Sequence, residues 1–440
     1  MNEDLQVEKL GNYLEGKKIA LCVGGGIAAI ESPKIARHLR RYGADVRAYV
    51  TNSALKFIGE ASLEWSTGKP VVKELSGLAE HICTEDLVLV APATLNTINK
   101  IYAGIADDPV TTLVASALGN NEIHNKTGNE IFKPDAKFKP IILAPTMHES
   151  LYENPFLKNN LEHKLNERVG IKIIEPRIEE HKAKIPKIED IVAKTCHILN
   201  KKNTKILITG GATPVKIDDV RIITNKFKGA LAVELAKEAY HQGYDVTLLL
   251  GKTGLQAPSY LNTIYHEDYE EYCNNVFKEL NKERRNLAKH NVCGRSIYDA
   301  AIFSAAVADY TPEKKFDGKI PSLGELEIKF KQTKKVIDEV RKEFPDLFMV
   351  TFKHMSKITE EELLTVARER TKNYQIVVAN REEDMKYRHK AYIVKSESLG
   401  GEIIEAHSKR DIAEKLIEET IDGLWKEINI KLEEELRDKR

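Results

Sequence analysis

The chain has 440 residues, which is longer than one ordinary hydrophobic core and predicts at least two domains. Its 67 lysine and arginine residues balance 67 aspartate and glutamate residues, so no net charge favours binding to nucleic acid or to an anionic membrane. The first residues lack the layout of a signal peptide, and no apolar run approaches the roughly 20 residues of a membrane helix, so we expect a cytoplasmic protein.

Cysteine and histidine spacing argues against a structural metal or a disulfide framework. The five cysteines are far apart and include no C-x-x-C pair. The histidines form no H-x-x-x-H pair and no cluster with acidic residues at the spacing of a metal cage. We therefore expect most cysteines to be small core residues.

Two segments of the chain share one order of predicted elements. Residues 17–51 and 204–251 each contain an apolar strand that ends in glycines, an amphipathic helix closed by Gly43 or Gly243, and a second strand that opens with Asp-Val. Parallel sheets covered on both faces are predicted by further continuous apolar runs: DLVLVAPAT, KPIILAPTM, DAAIFSAAVADY, LFMVTFKH and YQIVVAN. The predicted fold class is α/β, with two tandem Rossmann-like, doubly wound domains.

The domain boundary is predicted at a polar joint. A helix through IVAKTCHILN is followed by KKNTK, residues 201–205, which divides the chain into domains 1–200 and 201–440. In the second domain, the charged segment 267–296 and the tail from Asp411 onward are predicted to be helical.

The residues that end the first strands predict a binding crevice, because ligands of open α/β sheets lie beyond the carboxyl ends of the strands. Residues 24–27, GGGI, end the first strand and can offer backbone N–H groups and a helix N-terminus to a phosphate, although close helix packing also requires glycine. Residues 51–53, TNS, end the second strand, and their hydroxyls can reach that phosphate or cap a helix. Two more strands end in APATLNT, residues 91–97, and APTMH, residues 144–148.

Four ordered segments give the first half a family resemblance. They are AEHI at 79–82, PATLNT at 92–97, GIADD at 104–108 and PTMHESLYENP at 145–155. With them, the first half resembles the homo-oligomeric flavin-containing cysteine decarboxylases. The resemblance implies a flavodoxin-like fold with FMN on the strand ends, and a catalytic His81 completed across a trimer interface. The positions that it matches to the flavin are Gly25, Gly26, Ile27, Thr51, Ser53, Thr94, Asn96 and Thr97.

The chemistry of that family explains these residue types. Direct loss of CO₂ from a cysteinyl carboxylate would leave an unstabilised carbanion, so the thiol is first oxidised to a thioaldehyde, with a flavin as electron acceptor. His81 suits the accompanying proton transfer. His148, which stands where the family has asparagine, is expected to contact the substrate. Bacterial relatives protonate the product with a flap cysteine that is missing from residues 170–191, which leaves the proton donor open between Cys83 and an unassigned group.

A long polar segment interrupts the second glycine-rich turn. Residues 210–229, GGATPVKIDDVRIITNKFKG, insert Asp218, Arg221 and Asn225 between strand and helix, where a dinucleotide-binding turn needs only a few residues. A polar loop of this length at the end of a strand predicts binding of substrate as well as nucleotide. Together with four later segments, it makes nearly all of residues 203–410 resemble phosphopantothenate–cysteine ligase. Those segments are AAVADY at 305–310, GKI at 318–320, TFK at 351–353 and VAN at 378–380.

The ligase resemblance implies a nucleotide site and its chemistry. Lys319 would hold the triphosphate and promote carboxylate activation, Arg221 and Asn225 would handle the acyl-nucleotide, and Asp309 is a possible Mg²⁺ ligand. Joining a carboxylate to an amine requires an activated ester, which a nucleoside triphosphate makes with loss of pyrophosphate, so CTP and Mg²⁺ are implied. Lys226 or Lys228 can replace two hydroxyls of the family's loop as phosphate ligands. The implied nucleotide-binding positions are Gly210, Gly211, Ala305, Ala306, Val307, Asp309, Lys319, Thr351, Phe352 and Lys353.

Both halves together resemble the bifunctional coenzyme A biosynthesis flavoproteins, in an archaeal-type version. The resemblance implies ligation of 4′-phosphopantothenate to cysteine through an acyl-cytidylate, followed by FMN-dependent decarboxylation of 4′-phosphopantothenoylcysteine to 4′-phosphopantetheine. Trimeric flavin domains and dimeric ligase domains would build a closed homo-oligomer. Two alternatives stay open: an oxidoreductase with two nucleotide-binding domains, and an active ligase whose flavin-binding half is regulatory and does not decarboxylate.

Overall fold

The computed structural model describes residues 3–127, 138–163, 166, 169–252, 254–282, 296–321, 324–385 and 389–438. The chain divides into two compact units, Met1–Lys201 with His241–Gly243 and Lys202–Tyr240 with Tyr244–Arg440.

Eight described strands and seven described α-helices precede residue 201. The strands are β1 Lys18–Val23, β2 Asp45–Val50, β3 Leu87–Ala93, β4 Ile141–Pro145, β5 Met147–His148, β6 Ile171–Ile173, β7 Arg177–Glu179 and β8 Lys182–Lys184. The helices are α1 Ser32–Arg41, α2 Glu60–Thr67, α3 Leu95–Tyr102, α4 Pro109–Thr127, α5 Glu149–Tyr152, α6 Pro155–Leu161 and α7 Ile188–Leu199. Short 3₁₀ turns cover Glu3–Leu5, Ile27–Glu31 and Ala54–Lys56.

The first unit is built on a five-stranded parallel sheet with the order β2-β1-β3-β4-β6. Every residue of β3 and β4 is buried, because helices cover both faces of the sheet. One core packs α1 and α7 against the sheet through Ile35, Leu39 and Ile191, and the other packs α3 and α4 through Ile98 and Leu113. This strand order is the flavodoxin-like one, so the predicted fold is confirmed.

A small antiparallel sheet, which the sequence did not predict, lies within the first unit. Its order is β5-β8-β7, and β8 pairs with both neighbours. Within residues 170–191, β7 and β8 therefore form a hairpin whose second strand is hydrogen-bonded to the strand that carries His148.

The elements that follow residue 201 begin with the second glycine-rich strand. The strands are β9 Lys205–Gly210, β10 Val215–Lys216, β11 Ile222–Ile223, β12 Asp245–Gly251, β13 Asn262–His266, β14 Ala300–Phe303, β15 Tyr310–Pro312, β16 Phe330–Gln332, β17 Phe348–Met355, β18 Ile376–Arg381, β19 Ala391–Lys395 and β20 Ile403–Ala406. The helices are α8 Ala230–His241, α9 Tyr269–Leu280, α10 Val336–Glu343, α11 Glu360–Arg370, α12 Glu382–Met385 and α13 Lys409–Asp438, with a 3₁₀ turn at Glu397–Leu399.

An eight-stranded sheet with the order β13-β12-β9-β14-β17-β18-β19-β20 organises the second unit. It is parallel from β13 to β18, as predicted, but β19 and β20 extend it in antiparallel pairing. The link between β19 and β20, residues 396–402, is too short for the crossover that a parallel pair requires, which explains the difference.

Local signals placed several helix ends correctly. Gly43 and Gly243 follow α1 and α8 with φ of 96° and 91°, the left-handed conformation expected of a glycine after a helix. The tail from Asp411 lies in α13. Of the predicted charged helix 267–296, the structure contains α9, and residues 283–295 lie outside the described residues. None of the helices in the described part of the chain has both the length and the apolar character needed to cross a membrane.

Candidate functional sites

In the first unit, three loops meet where the strand order reverses between β1 and β3, the position at which open α/β sheets bind ligands. The N–H of Gly24 donates to the carbonyl of Pro92 at 3.1 Å, which joins the loop after β1 to the end of β3. A Cβ atom on Gly25 would overlap the Cβ of Ser53, so glycine is required for the loops after β1 and β2 to approach. The predicted flavin positions on these loops are thus brought together.

Threonine hydroxyls at this site have separate roles. Thr94 caps α3, because its Oγ1 accepts a hydrogen bond from the Thr97 N–H at 3.2 Å. The Thr97 hydroxyl lies 3.0 Å from that oxygen, and Asn96 is exposed in the first turn of the helix. Thr51 is buried and its Oγ1 accepts from the Ala54 N–H at 3.2 Å, so this hydroxyl stabilises a turn.

The strand ends offer unpaired donors beside apolar surface. The backbone N–H groups of Gly25, Gly26 and Ser53 have no hydrogen-bond partner within the described residues. Ile27, the next residue along, is 70% exposed. Free N–H groups suit an anion and an exposed isoleucine suits an apolar ring, so these residues fit a flavin nucleotide.

His81 lies away from the strand ends, on the exposed loop between α2 and β3. Within the described residues, no hydrogen bond joins it to another predicted site residue. The loop is anchored on both sides of the histidine: the buried Glu80 accepts from the Ser76 hydroxyl at 2.6 Å, and the buried Glu85 accepts from the Tyr49 hydroxyl at 2.8 Å. The backbone thus holds His81 at the surface in a defined loop.

His148 acts as a helix cap at the end of β5. Its Nδ1 accepts a hydrogen bond from the Ser150 N–H at 3.3 Å and lies 2.9 Å from the Ser150 hydroxyl, so Nε2 faces outward from an exposed side chain. An asparagine oxygen can form the same cap, so histidine and asparagine can both serve in this position.

The cysteines of the first unit are poor proton donors. Cys83 is 3% exposed, and burial together with the nearby charge of Glu85 raises the pKa of its thiol to about 12. Cys22 and Cys196 are fully buried, and burial raises the pKa of each thiol. Of the five cysteines, Cys293 lies outside the described residues.

A cavity of about 620 Å³ opens in the second unit where the strand order reverses between β9 and β14. Eight of the predicted nucleotide-binding residues line it: Gly211, Ala305, Ala306, Val307, Asp309, Thr351, Phe352 and Lys353. Gly210 is buried at the end of β9, and Arg221, Asn225 and Lys319 lie outside the lining.

The cavity is strongly cationic. Its lining holds seven lysine and arginine residues and one carboxylate, Asp309; the cations are Lys226, Lys228, Lys334, Lys335, Lys353, Arg370 and Lys409. Burial lowers the pKa of Lys353, and the positive charges of Arg370 and Lys335 lower it further. Several positive charges that line one cavity repel each other, and a polyanionic ligand would relieve that repulsion.

Four of these cations, Lys334, Lys335, Arg370 and Lys409, were not predicted from the sequence, because they lie in three separate segments without a motif and only the fold assembles them. Their positions next to helix ends were the one signal in the sequence that could have indicated these cations: Lys334 and Lys335 directly precede α10, and Arg370 ends α11.

The inserted segment 210–229 contains the antiparallel hairpin β10–β11, and hydrogen bonds join this hairpin to the loop that carries Lys319. The Asp218 carboxylate is buried and accepts from the backbone N–H groups of Val220 at 2.8 Å and Ile320 at 3.0 Å. Arg221 donates to Asp218 and to the Ile320 carbonyl, so its guanidinium joins the two loops. On the other side of Lys319, the Gly318 N–H donates to the Asp219 carboxylate at 3.1 Å, so the exposed Lys319 lies between two anchored residues.

Asn225 connects the end of that segment to the cavity wall. Its side-chain amide donates to the carbonyl of Ala306 at 2.8 Å. Two residues later, the Phe227 ring meets His354 edge-on, with ring centroids 5.5 Å apart. Among the described residues, no group of three His, Cys, Asp or Glu side chains has the arrangement of a metal site.

Comparison with known proteins assigns both units. Residues 8–200 match the Flavoprotein family, and residues 201–424 match the DNA/pantothenate metabolism flavoprotein C-terminal domain. The chain is 38% identical over 380 residues to the coenzyme A biosynthesis bifunctional protein CoaBC of Thermococcus kodakarensis, covering 83% of this chain and 86% of the relative. It is 34% identical over 423 residues to the CoaBC protein of Methanocaldococcus jannaschii, covering 92% and 93%.

A solved structure is similar to part of the chain. The DNA/pantothenate metabolism flavoprotein from Streptococcus pneumoniae is 24% identical, with a TM-score of 0.42, and the match covers 49% of this chain and 97% of that one. The two full-length relatives decide the family: the chain belongs to the bifunctional coenzyme A biosynthesis proteins, enzymes that combine a flavoprotein decarboxylase with a phosphopantothenate–cysteine ligase.

Proposed function

We propose that residues 201–440 couple 4′-phosphopantothenate to cysteine with CTP, and that residues 1–200 decarboxylate the product with FMN. The observation that carries the first step is the cationic cavity at the reversal of strand order in the second unit. A nucleoside triphosphate and a phosphorylated substrate both bring negative charge, which seven lysine and arginine residues would balance.

In the ligase step, the chain mainly binds and orients its substrates. The backbone of Gly211 and of residues 305–307 would face the nucleotide, and Lys319 would contact the phosphates from its anchored loop. Asp309, the one carboxylate of the lining, would hold Mg²⁺, which would neutralise phosphate charge. Activation of the substrate carboxylate would give an acyl-cytidylate and pyrophosphate. Asn225, bonded to the Ala306 carbonyl, would keep the loop closed over this intermediate.

In the decarboxylation step, the free N–H groups of Gly25, Gly26 and Ser53 would bind the FMN phosphate, while Thr94, Asn96 and Thr97 would lie beside the ring. Bound flavin supplies a two-electron acceptor for the substrate thiol. His81 would accept the thiol proton at an imidazole nitrogen, and His148 would orient the substrate through Nε2.

A trimer of flavin domains would bring His81 to a neighbouring site. Leu78 and Ile82 flank the histidine and are 85% and 50% exposed, which supports a subunit interface at this loop. Dimers of the ligase domain would complete the homo-oligomer. If the flavin domains form trimers, sedimentation of the full-length protein should give the mass of three subunits or of a multiple of three subunits.

Mass spectrometry of the products tests the proposal. Pure protein is incubated with 4′-phosphopantothenate, cysteine, Mg²⁺ and either CTP or ATP. We expect 4′-phosphopantetheine with CTP; absence of any cysteine adduct with both nucleotides would reject the ligase assignment.

A second candidate is an active ligase with a regulatory, flavin-binding first half. It is favoured by the segment 170–191, which contains the β7–β8 hairpin and no cysteine, and by the burial of Cys83. In that case, the same incubation would stop at 4′-phosphopantothenoylcysteine while the purified protein is yellow.

A further inference from the structure

The cavity of the second unit reaches both faces of the eight-stranded sheet. Successive side chains of a strand point to opposite faces, so Lys353 and His354, neighbours on β17 that both line the cavity, lie on different faces. Met349 shares the face of Lys353 and packs with core residues of α9, α10 and α11. Phe348 shares the face of His354, where it approaches Gly423 of α13. The cations of the lining can therefore be sorted by face.

The face of Lys353 carries four of the seven cations and the one carboxylate of the described lining. Lys334 and Lys335 directly precede α10, and Arg370 ends α11. Burial lowers the pKa of Lys353; the charges of Arg370 and Lys335 lower it further, and that of Asp309 raises it, so these groups are neighbours. We name the four cations and Asp309 the first charge group. Because Mg²⁺ prefers oxygen ligands such as a carboxylate, this group suits the Mg²⁺ complex of a triphosphate.

Two lysines of the loop before α8 lie on the other face. Lys226 and Lys228 flank Phe227, whose ring packs edge-on against His354. Helix α8 begins at Ala230, which also lines the cavity, and the first N–H groups of a helix have no partner within it. These N–H groups and the positive end of the helix dipole attract the same kind of ligand as the two lysines, an anion.

Lys409 joins the two loop lysines from the first position of α13, the helix that approaches Phe348 on the same face. A cation in the first turn of a helix meets the positive end of the helix dipole, which disfavours it. Among the described residues, no carboxylate forms an ion pair with Lys409. A bound anion would offset both effects. We name Lys226, Lys228 and Lys409 the second charge group.

The second face also offers apolar surface beside these lysines. Phe352 and Ile412 line the cavity there, on β17 and α13. His354 is paired on both sides, since Nε2 lies 3.2 Å from Oε2 of Glu382 and Nδ1 lies 3.2 Å from Oδ1 of Asn380. A ligand with a phosphate next to methyl groups matches this combination of cations and apolar side chains.

We propose that the second charge group binds the phosphate monoester of 4′-phosphopantothenate, on the opposite face of the sheet from the triphosphate; this rests on the proposed ligase function. The monoester is a dianion that needs no metal, and two methyl groups lie one carbon from its ester CH₂ group. The triphosphate belongs with the carboxylate of the first charge group, which can hold Mg²⁺. Binding on opposite faces separates the two phosphorylated ends, while the substrate carboxylate extends toward the strand ends to be activated.

The test compares three constants of the ligation reaction in the full-length protein. They are the KM for 4′-phosphopantothenate, the KM for CTP, and the inhibition constant of pantothenate, which has the same chain without the phosphate. A residue that binds the phosphate affects the first constant alone, whereas a residue with a merely structural role also changes the inhibition by pantothenate.

For Lys409→Gln, we expect the KM for 4′-phosphopantothenate to rise ~10-fold or more, because the phosphate loses a charged hydrogen-bond donor. The KM for CTP and the inhibition constant of pantothenate should not change. Lys226→Gln should give the same pattern. Lys353→Gln, in the first charge group, should give the reverse: a higher KM for CTP and an unchanged KM for 4′-phosphopantothenate.

The matched control is Lys426→Gln, an exposed lysine of the same helix outside the cavity lining, which should behave as wild type in all three measurements. Lys409→Gln removes a cation from a helix N-terminus and should not weaken folding, which urea unfolding checks. An unchanged KM for 4′-phosphopantothenate would overturn the proposal, as would an equal rise in the KM for CTP or in the inhibition constant of pantothenate. If wild-type protein forms no cysteine adduct with either nucleotide, the proposed ligase function itself fails.

Discussion

Asp218 is the residue on which two loops of the second unit converge. Burial by itself raises the pKa of its carboxyl, but hydrogen bonds from the backbone N–H groups of Ile320, Val220 and Arg221 and from the Arg221 side chain outweigh burial, and hold that pKa well below its usual range. The carboxylate is thus ionised at neutral pH and positions the loop around Lys319.

Asp218→Asn should therefore impair ligation. An amide has one oxygen, so it cannot accept all four donors, and the Lys319 loop loses its anchor. We expect a lower rate of pyrophosphate release at saturating CTP, while decarboxylation of supplied 4′-phosphopantothenoylcysteine is unchanged. Asp317→Asn, an exposed position in the same loop, is the control and should have no effect. A wild-type release rate in Asp218→Asn would contradict this role.

His266 makes the second unit sensitive to acid. The side chain is fully buried beside Tyr272, and burial lowers the pKa of the imidazole to about 4 from an ordinary value of 6.5. Above pH 6.5 the ring is neutral in the folded and the unfolded chain. Between pH 6.5 and 4 the unfolded chain gains a proton that the folded chain excludes, so stability falls on acidification, by up to about 3 kcal/mol.

This loss is measurable by urea unfolding at pH 7 and pH 5. The fluorescence of Trp425 reports the second unit when Trp65 is replaced by phenylalanine. His266→Gln, which cannot titrate, should flatten the decrease in stability between the two pH values. An equally steep decrease in that variant would assign the acid sensitivity to other groups.

At the scale of elements, helix α11 presents Arg370 to the cavity from its last turn. Its first turn has a capping box: Thr359 Oγ1 accepts from the Glu362 N–H, and the Glu362 carboxylate accepts from the Thr359 N–H. The cap satisfies backbone donors that the helix leaves unpaired, so it sets where α11 begins.

Thr359→Ala should lower the free energy of unfolding of the second unit by about 1 kcal/mol, because the Glu362 N–H loses its acceptor. Thr365→Ala, a threonine in the middle of the same helix, should cause no loss, since alanine has the higher helix propensity. Urea unfolding followed by Trp425 fluorescence measures both. Equal destabilisation by the two substitutions would argue against the cap.

The close approach of the loops after β1 and β2 should be required for flavin binding. Gly25→Ala places a methyl group against the Cβ of Ser53 and should displace the loops that we propose bind flavin. We expect a lower ratio of flavin absorbance to protein after purification, with CTP-dependent ligation retained. Gly59→Ala has open space around its Cβ position and should retain flavin. Full flavin content in Gly25→Ala would show that the loops tolerate separation.

At the scale of the whole molecule, each of the two units has hydrophobic core residues of its own, so we expect the two activities to be lost separately. His81→Asn should slow CO₂ release ~10²-fold or more, because the amide cannot take up the thiol proton. Ligation should continue, so 4′-phosphopantothenoylcysteine accumulates in the mass spectrum. His38→Asn, a surface histidine of the same unit, is the control. Loss of both activities in a folded His81→Asn protein would refute this division of labour.

The sequence by itself determined the class of fold and the family. A continuous apolar run such as LVLVAPA indicates a parallel strand, because both faces of such a strand are buried. Gly43 and Gly243 indicate helix ends, because the backbone after a helix adopts a left-handed conformation that glycine favours. These signals are local, since the residues that carry them are neighbours in the chain. The motifs at residues 79–155 and 305–380 are local in the same sense.

Tertiary structure alone decided which residues share a site. Lys226, Lys335, Arg370 and Lys409 are far apart in sequence, and meet only because the sheet order brings their loops to one edge. The bond from the Ile320 N–H to Asp218 joins residues 102 positions apart, and the pairing of His354 with Glu382 depends on the register of β17 and β18. Such contacts are set by strand order and register over long separations, which no local pattern encodes.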